Sequence, residues 1–261
     1  MIESLHSPHI ARVKALIGSK GAKERRELGL FVAEGIQCAR EALTSSTGPE
    51  IKTIYATELG LEKLREFDLS SVEVIEVSEA VMKTMADTVS PQGILSVCYK
   101  PKIDLSDIAA GNKPLFVYLY QIQDPGNAGT VLRSADAMGV TAVITSPESV
   151  DMYSPKVVRA TAGSLWNIPV IEGINFTDVV HAFPSATPLL LSAHATTSIS
   201  DVKIPHGAIA IFGNEARGVS VADLGSPVTE VTIPMSGRAE SLNLSAAAAI
   251  TIFTLSSMVA G

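Results

Sequence analysis

The chain has 261 residues, of which 46% are hydrophobic and 18% charged, a balance that describes a globular protein and excludes extended disorder. Its formal net charge of −7 argues against a uniformly basic nucleic-acid binder. Two cysteines, Cys38 and Cys98, with no CxxC spacing, speak against a disulfide framework or a zinc site and for buried free thiols.

The opening MIESLHSPHI lacks an apolar run, so no secretory signal is expected. Charge is unevenly spread. Residues 1–27 carry Arg12, Lys14, Lys20, Lys23, Arg25 and Arg26 against Glu3, Glu24 and Glu27, a net of +3, while the remainder carries −10. Such a basic stretch on an acidic body is a candidate footprint for a polyanion, and a solvated helix face is the competing reading.

Along the chain, SPHIARVKALIGSK (7–20) and AEGIQCAREALTSS (33–46) have helical spacing. IKTIYAT (51–57) and SVEVIEV (71–77) read as strands around a helical ELGLEKLREF, and PQGILSVCY (91–99) reads as a further strand. KPKIDLSDIAAGNKP (100–114), with proline near both ends and Gly-Asn inside, reads as a boundary. The expected division is therefore 1–104, a linker at 105–113, and 114–261.

The second part repeats short apolar runs at LFVYLY (115–120), TAVIT (141–145), NIPVI (167–171), PLLLSA (188–193), GAIAIF (207–212) and EVTIP (230–234). Apolar strands alternating with helices indicate an α/β fold with a parallel sheet covered on both faces. Ligands of such sheets bind beyond the carboxyl ends of the strands. Three segments there carry the informative residues.

The first is QIQDPGNAGTVLRSADAMGV (121–140). Asp124-Pro125-Gly126 reads as a turn, Asn127 as a helix N-cap, and Ala128 as the start of the helix. Arg133 then falls less than two turns in, flanked by Thr130 and Ala137 on its own face, with Val131, Ala135 and Met138 on an apolar face beside it. The competing reading is an arginine reaching solvent or pairing with Asp136. The second segment is GNEARGVS (213–220), whose Gly213 and Gly218 permit close backbone approach beside Glu215 and Arg217. The third is IPMSGRAESLNLSAAAAI (233–250), where Ser241 or Asn243 caps an alanine-rich helix. No GxGxxG, P-loop or GxSxG occurs in the chain. From 114 to 261 there are only six basic residues, and three of the four arginines (Arg133, Arg217 and Arg238) lie in these segments, which suggests an anion site. The run from Ser241 to Gly261 is uncharged, but its serines, threonines and Asn243 favour a helix in a core or subunit interface over a membrane anchor.

The pieces DPGNAGTVLRSADAMGV, IFGNEARG and IPMSGRAESLNLSAAAA, in this order, resemble the three motifs of the SpoU-type (TrmH) family of SPOUT methyltransferases. SVDMYSPKVVRATAGSLWNIPV (149–170) is similar to the segment between the first two. FVAEGIQCAREAL (31–43) and VSEAVMKTMADTVSPQGILSV (77–97) resemble, more loosely, the small substrate-binding domain often attached to these enzymes, itself similar to RNA-binding ribosomal proteins.

The resemblance implies a C-terminal α/β domain with a deep trefoil knot, a homodimer with its site at the subunit interface, and S-adenosylmethionine as methyl donor, with no metal. It implies methylation of a ribose 2′-hydroxyl in structured RNA, ribosomal or else transfer, by a cytoplasmic enzyme. By position, Gly213, Ile233 and Leu242 would line the cofactor pocket, with Phe212, Asn214 and Met235 beside them. Arg133 would be the catalytic arginine, supported by Asn127, Glu215, Ser241 and Asn243, and the basic residues of 12–26 would meet RNA. The family role given to that arginine is a base, yet a guanidinium is almost never neutral. Gripping an adjacent phosphate and steadying the developing alkoxide fits its chemistry better. On this reading Arg133 and the positive end of its helix face one RNA phosphate. An RNA-binding protein without catalysis and a base-methylating relative are the alternatives.

Overall fold

The structure, a computed structural model, describes residues 1–260. They form two compact units, one of Met1–Lys102 with Asp151–Asn167, the other of Ile103–Val150 with the chain from Ile168 onward.

The first unit opens with α1 (Pro8–Ile17), capped by Ser7, and α2 (Gly21–Leu28). There follow β1 (Leu30–Glu34), α3 (Ile36–Thr44), β2 (Ile51–Ala56), α4 (Glu58–Leu64), β3 (Glu73–Glu76), α5 (Glu79–Met85) and β4 (Ile94–Tyr99). The sheet order is β1-β4-β2-β3, with β4 antiparallel to both neighbours and β3 parallel to β2. Alternation along the strands builds a core on each face. Ile54, Ala56 and Ile94 pack with Ala39 of α3 and Leu64 of α4, whereas Tyr55, Leu95 and Val97 pack with Val13 of α1 and Met82 of α5. The helix expected from Ala33 begins only at Ile36, because Ala33 and Glu34 close a strand paired to β4. Five residues of strand type before a helical pattern are too few to betray themselves, and pairing decides.

The second unit contains the expected strands, all parallel: β5 (Leu115–Leu119), α6 (Pro125–Ala137) and β6 (Ala142–Thr145) come first. The chain leaves this unit after Val150, and residues 151–167, including α7 (Pro155–Ala160), pack with the first unit. It returns with β7 (Val170–Ile171), α8 (Phe176–Ala182), β8 (Thr187–Leu191), β9 (Ala208–Phe212), α9 (Val221–Leu224), β10 (Thr229–Val231) and α10 (Leu244–Ala260). The sheet order is β10-β8-β9-β5-β6-β7. Every residue of the central strands β5 and β9 is buried, as a sheet covered on both faces requires. One face packs Phe116, Tyr118, Ile144, Ile209 and Ile211 against Phe176, Val179 and Phe183. On the other, α10 lies against α6, β5 and β9.

Two stretches depart from the linear division expected. Residues from Ile103 on pack with the second unit, where Ile103, Leu105 and Ile108 are partly buried against its core, so 105–113 is not a free linker. Residues 151–167 belong with the first unit for polar as well as apolar reasons. Asp151 pairs with Arg25 at 2.8 Å, the Trp166 indole donates to Pro49 O at 2.9 Å, and α7 packs on β1. Gly163, at φ 101°, keeps the backbone where any side chain would strike Glu41. Among the described residues no helix is long and apolar enough to cross a membrane.

Candidate functional site

A cavity of about 470 Å³ opens in the second unit at the carboxyl ends of β5, β8, β9 and β10. That volume lies in the range of small-molecule sites. Its walls come from four strand ends and the segments that follow them: Asn127, in the first turn of α6 after β5; Leu191 at the end of β8 with Ser192 and Ala193; Phe212 at the end of β9 with Gly213 through Glu215, Gly218 and Val219; and Thr232, Ile233, Met235 and Ser241 through Leu244 after β10. All six residues expected at a cofactor, Phe212, Gly213, Asn214, Ile233, Met235 and Leu242, line it. So do Asn127, Glu215, Ser241 and Asn243. Arg133 does not.

The cavity suits a ligand with an apolar heterocycle and polar edges. Phe212 is buried, while Met235 and Leu242 stay 39% and 37% exposed, a large apolar area for one loop. Ile233 and Leu242 also bring backbone N–H groups that donate to nothing else in the described chain. Ile233 is half-buried, and a half-buried backbone donor without a partner fits a site that completes its hydrogen bonds with a ligand; the Leu242 N–H, on an exposed residue, is open to water or ligand alike. Gly213 lets two stretches of backbone in this wall pack closely: a Cβ there would stand 2.7 Å from Gly218 C and from Val219 N.

The three motif loops are tied by one chain of hydrogen bonds. The Glu215 carboxylate accepts the backbone N–H of Gln123 and of Asp124, each at 3.2 Å, and the Asn127 amide at 3.4 Å. Asn127 Oδ1 in turn accepts from Asn243 Nδ2 at 3.3 Å. Asn243 Oδ1 caps α10, taking the Ser245 N–H at 2.9 Å and its hydroxyl at 2.6 Å. Of the two residues expected to cap that helix, Asn243 does so and Ser241 faces the cavity.

At α6 the expected cap is displaced. Asp124, not Asn127, is the N-cap, accepting the Asn127 N–H at 2.7 Å, and Pro125 is the first helical residue. Pro at N1 has no N–H to waste and its φ suits the first turn, so the helix starts three residues before Ala128. Arg133 is consequently the ninth of 13 residues, beyond the first turn where the helix dipole acts. The expectation that Arg133 shares the positive end of this helix is therefore wrong. Its side chain is exposed beside Thr130 and Ala137, and it bonds to no other described residue, Asp136 included. Val131 and Ala135 are buried as expected, but Met138 is 37% exposed.

The sequence model of the SpoU rRNA methylase family matches residues 114–253. The chain belongs to that family. A model of the MRM3-like substrate-binding domain matches residues 8–96. Among relatives, the 23S rRNA (guanosine(2553)-2′-O)-methyltransferase RlmP of Bacillus subtilis is 30% identical over 235 residues, 89% of this chain and 91% of that one. Among solved structures, the AdoMet-bound rRNA methyltransferase of Sinorhizobium meliloti superposes with a TM-score of 0.85 at 29% identity, covering 97% of this chain and 96% of that one. AviRb of Streptomyces viridochromogenes in complex with AdoMet gives 0.83 at 26% identity, covering 97% and 98%.

In this SpoU member the basic residues of the first unit divide. Arg12, Lys14, Lys20, Lys23 and Arg26 are exposed on α1, on α2 and between them. Arg25, expected to meet RNA, is instead 5% exposed; its guanidinium pairs with Asp151 and donates to Leu16 O. A helix of eight residues must bury one face, and Arg25 lies on it. Sequence reasoning missed the β8 loop at Leu191, Ser192 and Ala193. The end of PLLLSA followed by small polar residues was its signal, since the carboxyl-end rule applies to every strand.

Proposed function

We propose that the cavity holds S-adenosylmethionine and that Arg133 serves the transfer of its methyl group to an RNA ribose. The chain is an S-adenosylmethionine-dependent RNA 2′-O-methyltransferase acting on ribosomal RNA, the substrate class in the names of its relatives. The observation that carries this reading is one cavity lined by all three family motifs, against relatives solved with the cofactor bound.

When bound, the cofactor supplies a methyl group on a sulfonium. The chain's own residues do the rest. Ile233 and Leu242 offer unpartnered backbone N–H groups, and Phe212, Met235 and Leu242 offer apolar walls. Glu215 is not a base in this scheme, because its oxygens are already committed to three N–H donors. Together with Asn127 and Asn243 it fixes the loops, and Ser241 faces the cavity with its hydroxyl uncommitted. Arg133, with no partner among the described residues, grips a phosphate of the substrate and stabilises the 2′-oxygen as the hydroxyl proton leaves to water.

A homodimer with the site completed by a second copy is the assembly we favour. On α10, Ile250 and Phe253 are 41% and 59% exposed, an apolar face on an uncharged helix. The return of α10 onto α6 and the central strands supports a knotted path. Exposed Arg12, Lys14, Lys20, Lys23 and Arg26 support RNA binding by the first unit, whose likeness to a substrate-binding domain points the same way. A cytoplasmic enzyme fits this substrate.

Equilibrium dialysis with labelled S-adenosylmethionine tests the reading. Saturable binding of one equivalent per chain, weakened at least tenfold by Gly213→Ala, is expected. No saturable binding to the unaltered chain would overturn it.

A further inference from the structure

Gln121, the residue two positions beyond β5, has φ 47°, a conformation that side chains rarely adopt outside glycine. Such strain persists only where the surroundings over-determine it. Here every polar group of the residue is engaged. Its N–H donates to Ser146 Oγ at 2.7 Å, and its carbonyl accepts Asn214 Nδ2 at 2.8 Å and Gln123 Nε2 at 3.2 Å. Its side-chain amide donates to Glu148 at 3.1 Å and accepts from the Arg217 guanidinium. Glycine would relieve the backbone but would lose the last two bonds, so the side chain is what the strain secures.

Arg217 is the residue so held. Its loop is clamped by Asn214, whose Oδ1 takes the Arg217 N–H at 3.2 Å and whose backbone pairs with Gly218 in both directions. Asn214, Glu215 and Gly218 line the cavity, so Arg217 stands at its rim. Its partner is a neutral amide. No carboxylate of the described residues lies within ion-pair distance of it, Glu148 being beyond the amide. Asp223, lowered first by hydrogen bonds from Ser220, feels Arg217 only as its smallest favourable influence. A guanidinium oriented by an amide keeps its full charge and its outer N–H groups for an anion. Few other cations are available, since from 168 to 261 only Lys203, Arg217 and Arg238 are basic.

We infer that Arg217 is a phosphate-binding residue for the RNA backbone at the cavity rim, and that Gln121 is the positioning residue that aims it. This rests on the methyltransferase reading but assigns a contact separate from Arg133 and from the cofactor. Lysine at 217 would keep the charge and lose the planar fork that Gln121 holds.

The test measures binding of unmodified large-subunit ribosomal RNA, transcribed in vitro, across a salt series, with cofactor affinity and thermal midpoint measured on the same samples. Arg217→Ala is expected to weaken RNA binding about tenfold and to flatten the slope of log K against log salt by about 1. Gln121→Gly is expected to weaken RNA binding several-fold with no loss of thermal midpoint, and Arg217→Lys to keep the slope while losing affinity. Cofactor affinity stays within about twofold in all three. An unchanged RNA affinity and slope in Arg217→Ala, with the unaltered chain binding and methylating RNA, overturns this inference alone. If the unaltered chain neither binds nor methylates RNA, the functional reading fails and this inference with it. If Arg217→Ala loses cofactor affinity or thermal midpoint in step with RNA affinity, at constant slope, Arg217 is only structural and the inference is overturned.

Discussion

Asn243 Nδ2 donates to Asn127 Oδ1 at 3.3 Å, joining residues 116 apart in the chain. With Glu215 on the far side of Asn127, the contact locks the loops after β5, β9 and β10 around one cavity. The pair is exposed, so its value to global stability is small, about 0.5–1 kcal/mol. Its value to the cavity is larger, because both partners hold walls. Asn127→Ala and Asn243→Ala should each weaken S-adenosylmethionine binding about tenfold, and the double variant by less than the product of the two. Isothermal calorimetry on the four proteins reads this coupling. Strictly additive losses would mean that the two amides act independently.

Arg133 lies outside the cavity and bonds to no other described residue. Replacing it should therefore separate chemistry from cofactor binding. Arg133→Ala should lower the methylation rate at saturating RNA at least about 100-fold, the scale of a lost charge-stabilising donor. Its affinity for S-adenosylmethionine should stay within about twofold. Single-turnover rates with cofactor dialysis check both halves.

Arg25 is the one basic residue of the N-terminal stretch that serves the core. Its side chain is 6% exposed and that of its partner Asp151 20%, so Arg25→Ala strands a half-buried carboxylate. A loss of about 3 kcal/mol and a fall of several degrees in thermal midpoint are expected. Arg26→Ala, one residue on and exposed, should leave the midpoint within about 2 °C while weakening RNA binding. Calorimetric melting paired with RNA titration distinguishes the two.

The sheet of the second unit was legible because its strands are apolar throughout, and the motifs were legible because three glycine-bearing loops each follow such a strand. What was not legible depended on contacts distant in sequence. The role of Arg25 depends on Asp151, 126 residues away. β1 depends on pairing with β4, and the role of Gln121 depends on Arg217. The start of α6 is a different case. Asp124-Pro125 is a local capping signal that outranks Asn127, and proline at N1 could have shown it.

Both thiols are buried, and burial raises them. Cys38 is pushed from 9.0 to about 11, first by burial and then by Glu41, and Cys98 rises in the same direction through burial and Cys38. The sign follows from linkage. A thiol raised in the folded state lends stability that is fully present below its ordinary value of 9.0 and is lost as pH rises toward 11. The thermal midpoint should thus be flat with respect to these groups from pH 7 to 8 and fall between pH 9 and 11. Iodoacetamide should label neither thiol at pH 8 until the chain is unfolded.

Transfer of a methyl group to a ribose oxygen of RNA is the event on which every site assignment above depends. The direct measurement incubates the protein with methyl-labelled S-adenosylmethionine and unmodified large-subunit ribosomal RNA, hydrolyses the product in alkali and analyses the fragments by mass spectrometry. A 2′-O-methyl group blocks cleavage at its own nucleotide, so the label should appear in one alkali-resistant dinucleotide, and Arg133→Ala should abolish it. Label recovered on a base in a mononucleotide, or none incorporated by a protein that binds the cofactor, would contradict the account.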